Sequence, residues 1–216
     1  YAYLGNWEKR EGNSNVEEEY LSAYLARRGY TDKEIRSAIA KLKQAAGSLG
    51  GGLYNANKEV YTLLRYGVNV QAEVTEKKKM VHLIDWANPM ENDFQIAEEV
   101  TIHGTSDRRP DLVVYVNGIA LAVIELKRST VSAHEGIRQN IRNQQDGYIP
   151  RFFTTIQLLF AGNDTEGLHY GVIKTPEKFW LRWKEPCGEP CAKPHFTAEE
   201  YPNELDRSVL QFFEPA

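Results

Sequence analysis

The chain carries two apolar runs joined by a turn in the segment Arg109-Pro-Asp-Leu-Val-Val-Tyr-Val-Asn-Gly-Ile-Ala-Leu-Ala-Val-Ile-Glu-Leu-Lys127. The pair Asn117-Gly118 between the runs strongly indicates a two-residue β-hairpin turn. In an uninterrupted hairpin Asp111 lies opposite Ile124, one step from Glu125, within reach across the strands. We therefore predict that the charged side chains at the open end of this hairpin converge.

Those charged side chains are Asp111, Glu125 and Lys127. Two neighbouring carboxylates raise each other's pKa unless a cation lies between them. A hard divalent ion such as Mg²⁺ suits two carboxylates, water and a phosphate oxygen, and it lowers the pKa of a bound water. A lysine beside that water can hold it and offset charge in the transition state. The alternative is a salt bridge where a buried hairpin ends, but an acid before the turn and Glu-x-Lys after it favour catalysis.

Apolar periodicity and capping residues outline the rest of the fold. Ser14-Asn-Val-Glu17 and Thr31-Asp-Lys-Glu34 have the form of helix capping boxes. The predicted helices are 14–29, 31–47, 55–65, 133–146 and 203–213, and the predicted strands besides the hairpin are 68–74, 80–86, 94–102, 154–160 and 170–174. Residues 1–13 show no periodic pattern. This order predicts an α/β fold with a mixed central β-sheet flanked by helices on both sides.

Composition excludes several functional classes. The 216 residues are 42% hydrophobic and 26% charged, which fits one globular domain and excludes overall disorder. The net charge of −4 argues against a general polyanion binder, although residues 108–151 hold seven Lys and Arg against four Asp and Glu. Because no run of 18 apolar residues and no signal-like start is present, we expect a trimmed, cytoplasmic chain without membrane contact.

Other ligand-binding motifs are weak or absent. Cys187, Cys191 and His195 could supply three zinc ligands, but free thiols in a reducing cytosol are the favoured interpretation. The sequence contains no P-loop, so ATP is not expected to bind here through one. It also contains no helix-turn-helix or zinc-finger signature, so base-specific DNA reading is not expected.

The hairpin segment resembles the PD-(D/E)xK nuclease core, and more narrowly the N-terminal nuclease domain of the restriction (R) subunit of type I restriction-modification enzymes. The Pro-Asp…Glu-x-Lys pattern alone is shared by many nucleases. The similarity covers about 14–184 and includes the segments 57–67, 84–86, 92–94 and 160–171. The resemblance implies a restriction-endonuclease-like core and cleavage of double-stranded DNA with Mg²⁺, for which Mn²⁺ can substitute. It also implies modification and specificity subunits as partners, and a longer chain whose ATP-driven motor follows this segment.

The resemblance also implies roles for individual residues. Asp111 and Glu125 match the metal-binding acids, and Lys127 matches the catalytic lysine. An acid from the first helix often completes such a site, and Glu17 is favoured over Glu18 and Glu19 because it shares the core-facing side of the helix.

The family also carries a Gln-x-x-x-Tyr motif on the helix after Glu-x-Lys. Gln139 stands where its glutamine is expected, and Asn143 occupies the tyrosine position. Gln144-x-x-x-Tyr148 fits the same spacing one turn later. Basic and polar side chains around the core are expected to contact the DNA backbone. These are Arg109, Arg128, Arg138, Arg142, Asn143 and Tyr148.

The expected domain organisation is a nuclease domain over 1–184, with a core at 94–174 and N-terminal helices at 14–65. Residues 185–216 are expected to be a proline-containing tail or the start of a linker to the motor. The predicted function is an endonuclease domain acting on unmodified foreign DNA. Two alternatives remain: a standalone repair or junction nuclease that cuts DNA without ATP, and a non-catalytic docking module that binds no metal.

Overall fold

A computed structural model describes residues 1–71, 78–183 and 203–213 of the chain. The helices are α1 (Glu18–Arg27), α2 (Asp32–Gly47), α3 (Leu53–Tyr66), α4 (Ala133–Asn143) and α5 (Glu204–Phe213). The strands are β1 (Ala2–Asn6), β2 (Val68–Val70), β3 (Lys79–Val81), β4 (Phe94–Glu98), β5 (Leu112–Val116), β6 (Ile119–Leu126), β7 (Leu158–Asn163), β8 (Gly167–Gly171) and β9 (Leu181–Arg182). No helix in the described ranges is long and apolar enough to cross a membrane.

Seven of the strands form one mixed sheet in the order β1-β4-β5-β6-β7-β8-β9. Strands β4, β5 and β6 are an antiparallel meander, and β7 joins β6 in parallel after the crossover through α4. Strand β1 lies parallel to β4 at one edge, while β2 and β3 form a separate antiparallel pair. The predicted α/β fold with a mixed central sheet is thus confirmed, and the hairpin lies at its centre.

The helices cover both faces of this sheet because its strands alternate apolar side chains towards each side. One face buries Val113, Tyr115 and Val123 against Ile137 of α4. The other buries Ile124 and Phe160, among others, against α5. Helices α1, α2 and α3 form a third cluster with β2 and β3. The site at the open end of the hairpin therefore lies between α4 and the sheet.

The hairpin turn is built as the sequence predicts. Asn117 and Gly118 both have positive φ, 53° and 80°, as a two-residue turn of type I′ requires. Asn117 is completely buried, and its amide group donates to the Leu83 carbonyl at 2.9 Å and to the Asn92 side chain at 2.9 Å. Its side-chain oxygen accepts from the Asp93 backbone N–H at 2.7 Å. The turn is thereby tied to the 83–93 segment.

Several element boundaries confirm the sequence prediction. Thr31 and Glu34 form a complete capping box at the start of α2. The predicted helix 203–213 matches α5. Cys187, Cys191 and His195 lie outside the described residues, so the zinc alternative stays untested together with most of the predicted tail.

Other element boundaries differ from the sequence prediction. Strand β1 forms in the segment without periodicity because its hydrogen-bond partners come from β4, which local sequence does not reveal. Helix α1 begins at Glu18 and not at the Ser14 box, since Val16 instead makes a β-bridge with Ile119. Strand β4 ends at Glu98 because Glu99 has a φ of 51°. Helix α4 ends at Asn143, β3 ends at Val81, and β7 begins at Leu158, after a short 3-10 helix at Phe152–Thr154.

Candidate active site

A β-bulge in β6 decides which side chains of the hairpin share a face. Tyr115 pairs with Ala120, whereas Val114 pairs with Ala122, so Leu121 is an extra residue in β6. Beyond Leu121 every cross-strand pair is displaced by one residue relative to the uninterrupted hairpin.

This displacement corrects the predicted register of Asp111. Leu112, and not Asp111, pairs with Ile124, so the next step of the ladder sets Asp111 opposite Glu125. Directly paired residues share a face of the sheet, whereas the uninterrupted register would have turned Glu125 to the face opposite Asp111. The register on which the predicted convergence was based is therefore wrong, but the two carboxylates do share a face.

Glu125 is completely buried, and its two carboxylate oxygens have different surroundings. Oε2 accepts a hydrogen bond from Nε2 of Gln139 at 2.6 Å. Oε1 is buried and accepts no hydrogen bond from a donor among the described residues. A buried carboxylate oxygen that accepts no hydrogen bond is costly, and a cation bound at Oε1 would remove that cost.

Lys127 and Asp111 complete the cluster around Glu125. The Lys127 Nζ lies 3.9 Å from Oδ2 of Asp111 and 3.9 Å from Oε2 of Glu125, and it donates to the Leu126 carbonyl at 3.1 Å. Oδ2 of Asp111 accepts from the Leu126 backbone N–H at 2.6 Å. Residues from both strands of the hairpin thus bring the two acids and the lysine together at its open end.

The electrostatics of the pair suit a divalent cation. Burial raises the pKa of Glu125 well above its usual range, and the Asp111 carboxylate raises it further, while Lys127 opposes the shift. Within the described ranges no group of three or more His, Cys, Asp or Glu side chains is arranged to hold a metal ion. Two carboxylates with water completing the shell are, however, a usual protein contribution to an Mg²⁺ site. The donor set therefore fits the expected ion.

The structure does not bring Glu17 to this pair. Its carboxylate is held by the Arg10 guanidinium at 2.6 and 3.1 Å and accepts from the Ser14 backbone N–H at 2.9 Å. Its backbone N–H bonds to Gly118 at the turn, the end of the hairpin away from Asp111. The expectation that Glu17 supplies a third metal ligand is corrected, because Arg10 already neutralises it.

Arg109 is also engaged by acids of its own chain. It forms ion pairs with Glu8 and, through Nε at 2.6 Å, with Glu99. The Glu99 backbone N–H in turn donates to the Asp111 carbonyl at 2.8 Å. Arg109 therefore positions the segment that carries Asp111, and it is not free for a DNA phosphate as predicted. Sequence reasoning missed Glu8 and Glu99, since only the pairing of β1, β4 and β5 brings them together.

Helix α4 approaches the sheet closely beside Glu125. A Cβ on Gly136 would lie 3.0 Å from Cβ of Ala161 and 3.2 Å from the Glu125 carbonyl oxygen. Glycine at this position lets Gln139, one turn later, reach Glu125. The sequence places a glycine in the helix without showing why, and the close packing supplies the reason.

The two candidates for the tyrosine position differ from expectation. Asn143 is completely buried, and neither atom of its side-chain amide has a partner among the described residues. Tyr148 lies beyond the end of α4, and the Arg108 guanidinium lies 4.1 Å from the centre of its ring. Asn143 is thus no surface contact for a phosphate, and Tyr148 is held as a stacking partner of Arg108.

The remaining arginines fall into two groups. Arg138 is paired with Glu135 at 2.6 Å and with Glu177 at 3.0 Å, so its charge is already neutralised. Arg128 and Arg142 are exposed and form no ion pair among the residues that the structure describes. Of the predicted backbone contacts, these two remain free to bind a phosphate.

Comparison with known proteins identifies the family of this chain. A sequence model of the family described as "Type I restriction enzyme R protein N terminus" matches residues 1–178. A Methanocaldococcus jannaschii protein named as the type I restriction enzyme MjaIXP endonuclease subunit is 31% identical over 134 residues, covering 58% of this chain and 12% of the relative. The Staphylococcus saprophyticus type I restriction enzyme SsaAORF53P endonuclease subunit is 26% identical over 133 residues, covering 62% and 13%. The chain spans about an eighth of the length of these curated relatives. Since the family match covers most of its residues, this chain belongs to the type I restriction enzyme R protein N terminus family.

Proposed function

We propose that the chain is the Mg²⁺-dependent DNA endonuclease module of a type I restriction enzyme, which hydrolyses phosphodiester bonds of unmodified foreign DNA. The observation that carries this proposal is the position of the Lys127 Nζ, 3.9 Å from each of two carboxylates on one sheet face. The names of the relatives, all endonuclease subunits, support it.

Asp111 and Glu125 are the residues that would hold the cation. The unpartnered Oε1 of Glu125 and the partly exposed Asp111 carboxylate supply its protein ligands. When bound there, Mg²⁺, or Mn²⁺ in its place, neutralises charge on the phosphate and makes a bound water more acidic. Gln139 holds the other oxygen of Glu125 and so fixes the direction in which Oε1 points.

Lys127 acts on the attacking water and on the phosphate. Its ammonium is mostly covered, with 18% of the side chain exposed, so its charge is screened less than that of a surface lysine. It orients the water oxygen that forms the new bond to phosphorus, and it offsets negative charge that grows as the bond to the leaving sugar oxygen breaks. Arg128 and Arg142 hold the DNA backbone.

The wider setting follows from the family. The proposed substrate is double-stranded DNA, and the proposed partners are modification and specificity subunits in the cytoplasm. ATP binds only in a motor domain elsewhere in the subunit. A standalone repair or junction nuclease is disfavoured because the matched relatives are much longer subunits of restriction enzymes.

The test is cleavage of supercoiled plasmid by the full restriction assembly with Mg²⁺ and ATP. Asp111→Asn and Lys127→Ala should each lower cleavage by at least about 100-fold, in the range seen when a positioned catalytic group is removed. ATP hydrolysis by the same assemblies should be retained, which shows that the variants still assemble. Cleavage at the wild-type rate by either variant would exclude the mechanism. Absence of binding heat on titration of the chain with Mn²⁺ would instead favour the docking module.

A further inference from the structure

A line of aromatic and basic side chains runs along the exposed side of α3. Tyr54, Lys58, Tyr61 and Arg65 stand at positions i, i+4, i+7 and i+11, so they share one face of the helix. All four are exposed, whereas the opposite face is buried in the helical cluster. Alternating rings and cations on one surface are the pattern by which proteins hold single-stranded nucleic acid.

This line leads into a cavity at the C-terminal end of α3. The cavity has a volume of about 330 Å³, at the lower end of the range for small-molecule sites. Cationic and aromatic side chains dominate its wall: Tyr24, Arg28, Tyr30, Arg65, His82 and Trp86. Its size and lining suit one nucleotide, with a planar base and an anionic phosphate.

Trp86 forms a fixed platform at the edge of this cavity. Its indole N–H donates to the Leu64 carbonyl at 2.9 Å, and the Arg65 guanidinium lies 5.4 Å from its ring centre. Trp86 is nevertheless 49% exposed, whereas Trp7 and Trp180 are 4% and 8% exposed. Because the indole N–H is already hydrogen-bonded, a ligand can contact the exposed part of Trp86 only by stacking on the face of the ring.

The charged side chains around Trp86 carry a net positive charge. Arg28 pairs with Asp85 at 2.7 Å, and backbone N–H groups of the following turn hold the pKa of Asp85 below its usual range. Arg65 and Lys58 form no ion pair among the described residues. Glu59 is the one acid on α3. The guanidinium of Arg65, which forms no ion pair among the described residues, therefore lies beside the exposed Trp86 ring. A nucleotide site needs such a pair, because the cation can bind the phosphate and the ring can stack on the base.

We propose that α3 and this cavity form a second DNA-binding surface, specific for a single strand, whose bases stack on Trp86 and Tyr61 and whose phosphates bind Arg65 and Lys58. Single-stranded DNA fits because its base faces are exposed, whereas duplex bases are stacked on each other. Only the choice of DNA as ligand rests on the proposed function.

This surface is separate from the catalytic cluster. The cavity wall residue Tyr24 contacts Asn92, which bonds to Asn117 at the hairpin turn. Glu125 lies at the other end of β6, about 20 Å along a strand. The surface can therefore hold a displaced or opened strand while the hairpin end contacts a phosphodiester bond.

The test uses the 216-residue chain in EDTA, so that no cleavage occurs, with a fluorescently labelled oligo(dT) followed by anisotropy. The double variant Arg65→Gln/Trp86→Phe should bind about tenfold more weakly, and its log–log salt slope should fall by about 0.7 for the lost phosphate contact. The matched control is Lys178→Gln/Phe179→Leu, which removes another exposed cation–ring pair, with Phe179 60% exposed. The control should bind as the wild type does.

Each outcome decides the proposal. Quenching of the intrinsic fluorescence by oligo(dT), absent in the Trp86→Phe single variant, supports stacking on that ring. Unchanged affinity of the double variant, equal loss in the control, or tighter binding of a duplex would overturn it. Tyr61→Ser, at an exposed position, provides a second variant if the double variant does not fold, and an unchanged affinity there also counts against the proposal. Loss of cleavage in the Lys127→Ala assembly with intact oligo(dT) binding would uphold the two proposals independently.

Discussion

Replacing Glu125 by Gln should stabilise the metal-free chain at pH 8, and it should abolish the proposed Mg²⁺-dependent cleavage by the full restriction assembly. The wild-type carboxylate is completely buried, has one unpartnered oxygen, and faces a second carboxylate on Asp111. A glutamine keeps the shape, can still accept from Gln139, and can donate its amide N–H to Asp111. The substitution therefore removes an unfavourable buried charge without opening a cavity.

The size of the effect follows from the cost of an unsatisfied buried group. Leaving a buried acceptor without a partner costs about 1–3 kcal/mol, and more when it is charged. For a domain of this length each kcal/mol shifts Tm by about 2–4 °C. We therefore expect the Glu125→Gln variant to melt about 2–12 °C above the wild type in EDTA at pH 8.

The stability that the Glu125→Gln variant gains over the wild type should increase as the pH rises. The pKa of Glu125 is raised in the folded state, so the folded chain binds more protons than the unfolded chain between the ordinary carboxyl pKa and the raised value. Wild-type stability from this group is complete below the ordinary pKa and is lost as the pH rises through the raised one. The difference between Glu125→Gln and the wild type should vanish near pH 4 and grow towards pH 8.

Mg²⁺ should reduce the difference in stability between the Glu125→Gln variant and the wild type. An ion at ten times its Kd stabilises the wild type by about 1.4 kcal/mol, whereas the variant has lost one of the two carboxylate ligands and should gain less. The assay is differential scanning calorimetry from pH 4 to 8, with EDTA or with Mg²⁺. A variant that melts at or below the wild-type temperature at pH 8 in EDTA, or a difference that does not change with pH, would refute the reasoning.

Further substitutions test the packing that positions the site. Gly136→Ala should destabilise the chain by about 1–3 kcal/mol in chemical denaturation, because the new methyl group lies 3.0 Å from Cβ of Ala161. Helix propensity alone predicts the opposite, so a stabilised variant would show that α4 can move away from the sheet. Asn117→Ala should cost at least about 3 kcal/mol, because it removes three hydrogen bonds of a buried side chain, including the one to Leu83, at a residue with positive φ. A loss below about 1 kcal/mol would contradict this account. Arg109→Gln should cost no more than about 1 kcal/mol of stability, with a smaller effect in 1 M salt, because its partner Glu8 is exposed and its partner Glu99 is partly exposed. A salt-independent loss would indicate another role.

Local signals in the sequence predicted much of the fold. The Asn117-Gly118 turn, the Thr31 capping box and the period of α2 and α3 depend on neighbours within a few residues, so the sequence shows them directly. Strand β1 depends on hydrogen bonds from β4, which is distant along the chain, and no local pattern reveals it. The same limit explains why the acids that hold Arg109 were not predicted.

The sequence by itself determined that two acids and a lysine stand at the open end of a buried hairpin. It did not determine that the acids share a face. That depends on Leu121, which bulges from β6, packs against the helical cluster, and accepts a backbone hydrogen bond from Gln157 in the segment before β7. Because strand side chains alternate with a period of two, this single extra residue turns Glu125 to the face of Asp111. Residue types and spacing are local properties, whereas a bulge is stabilised by partners from elsewhere in the chain, so only the tertiary structure brings the two carboxylates together.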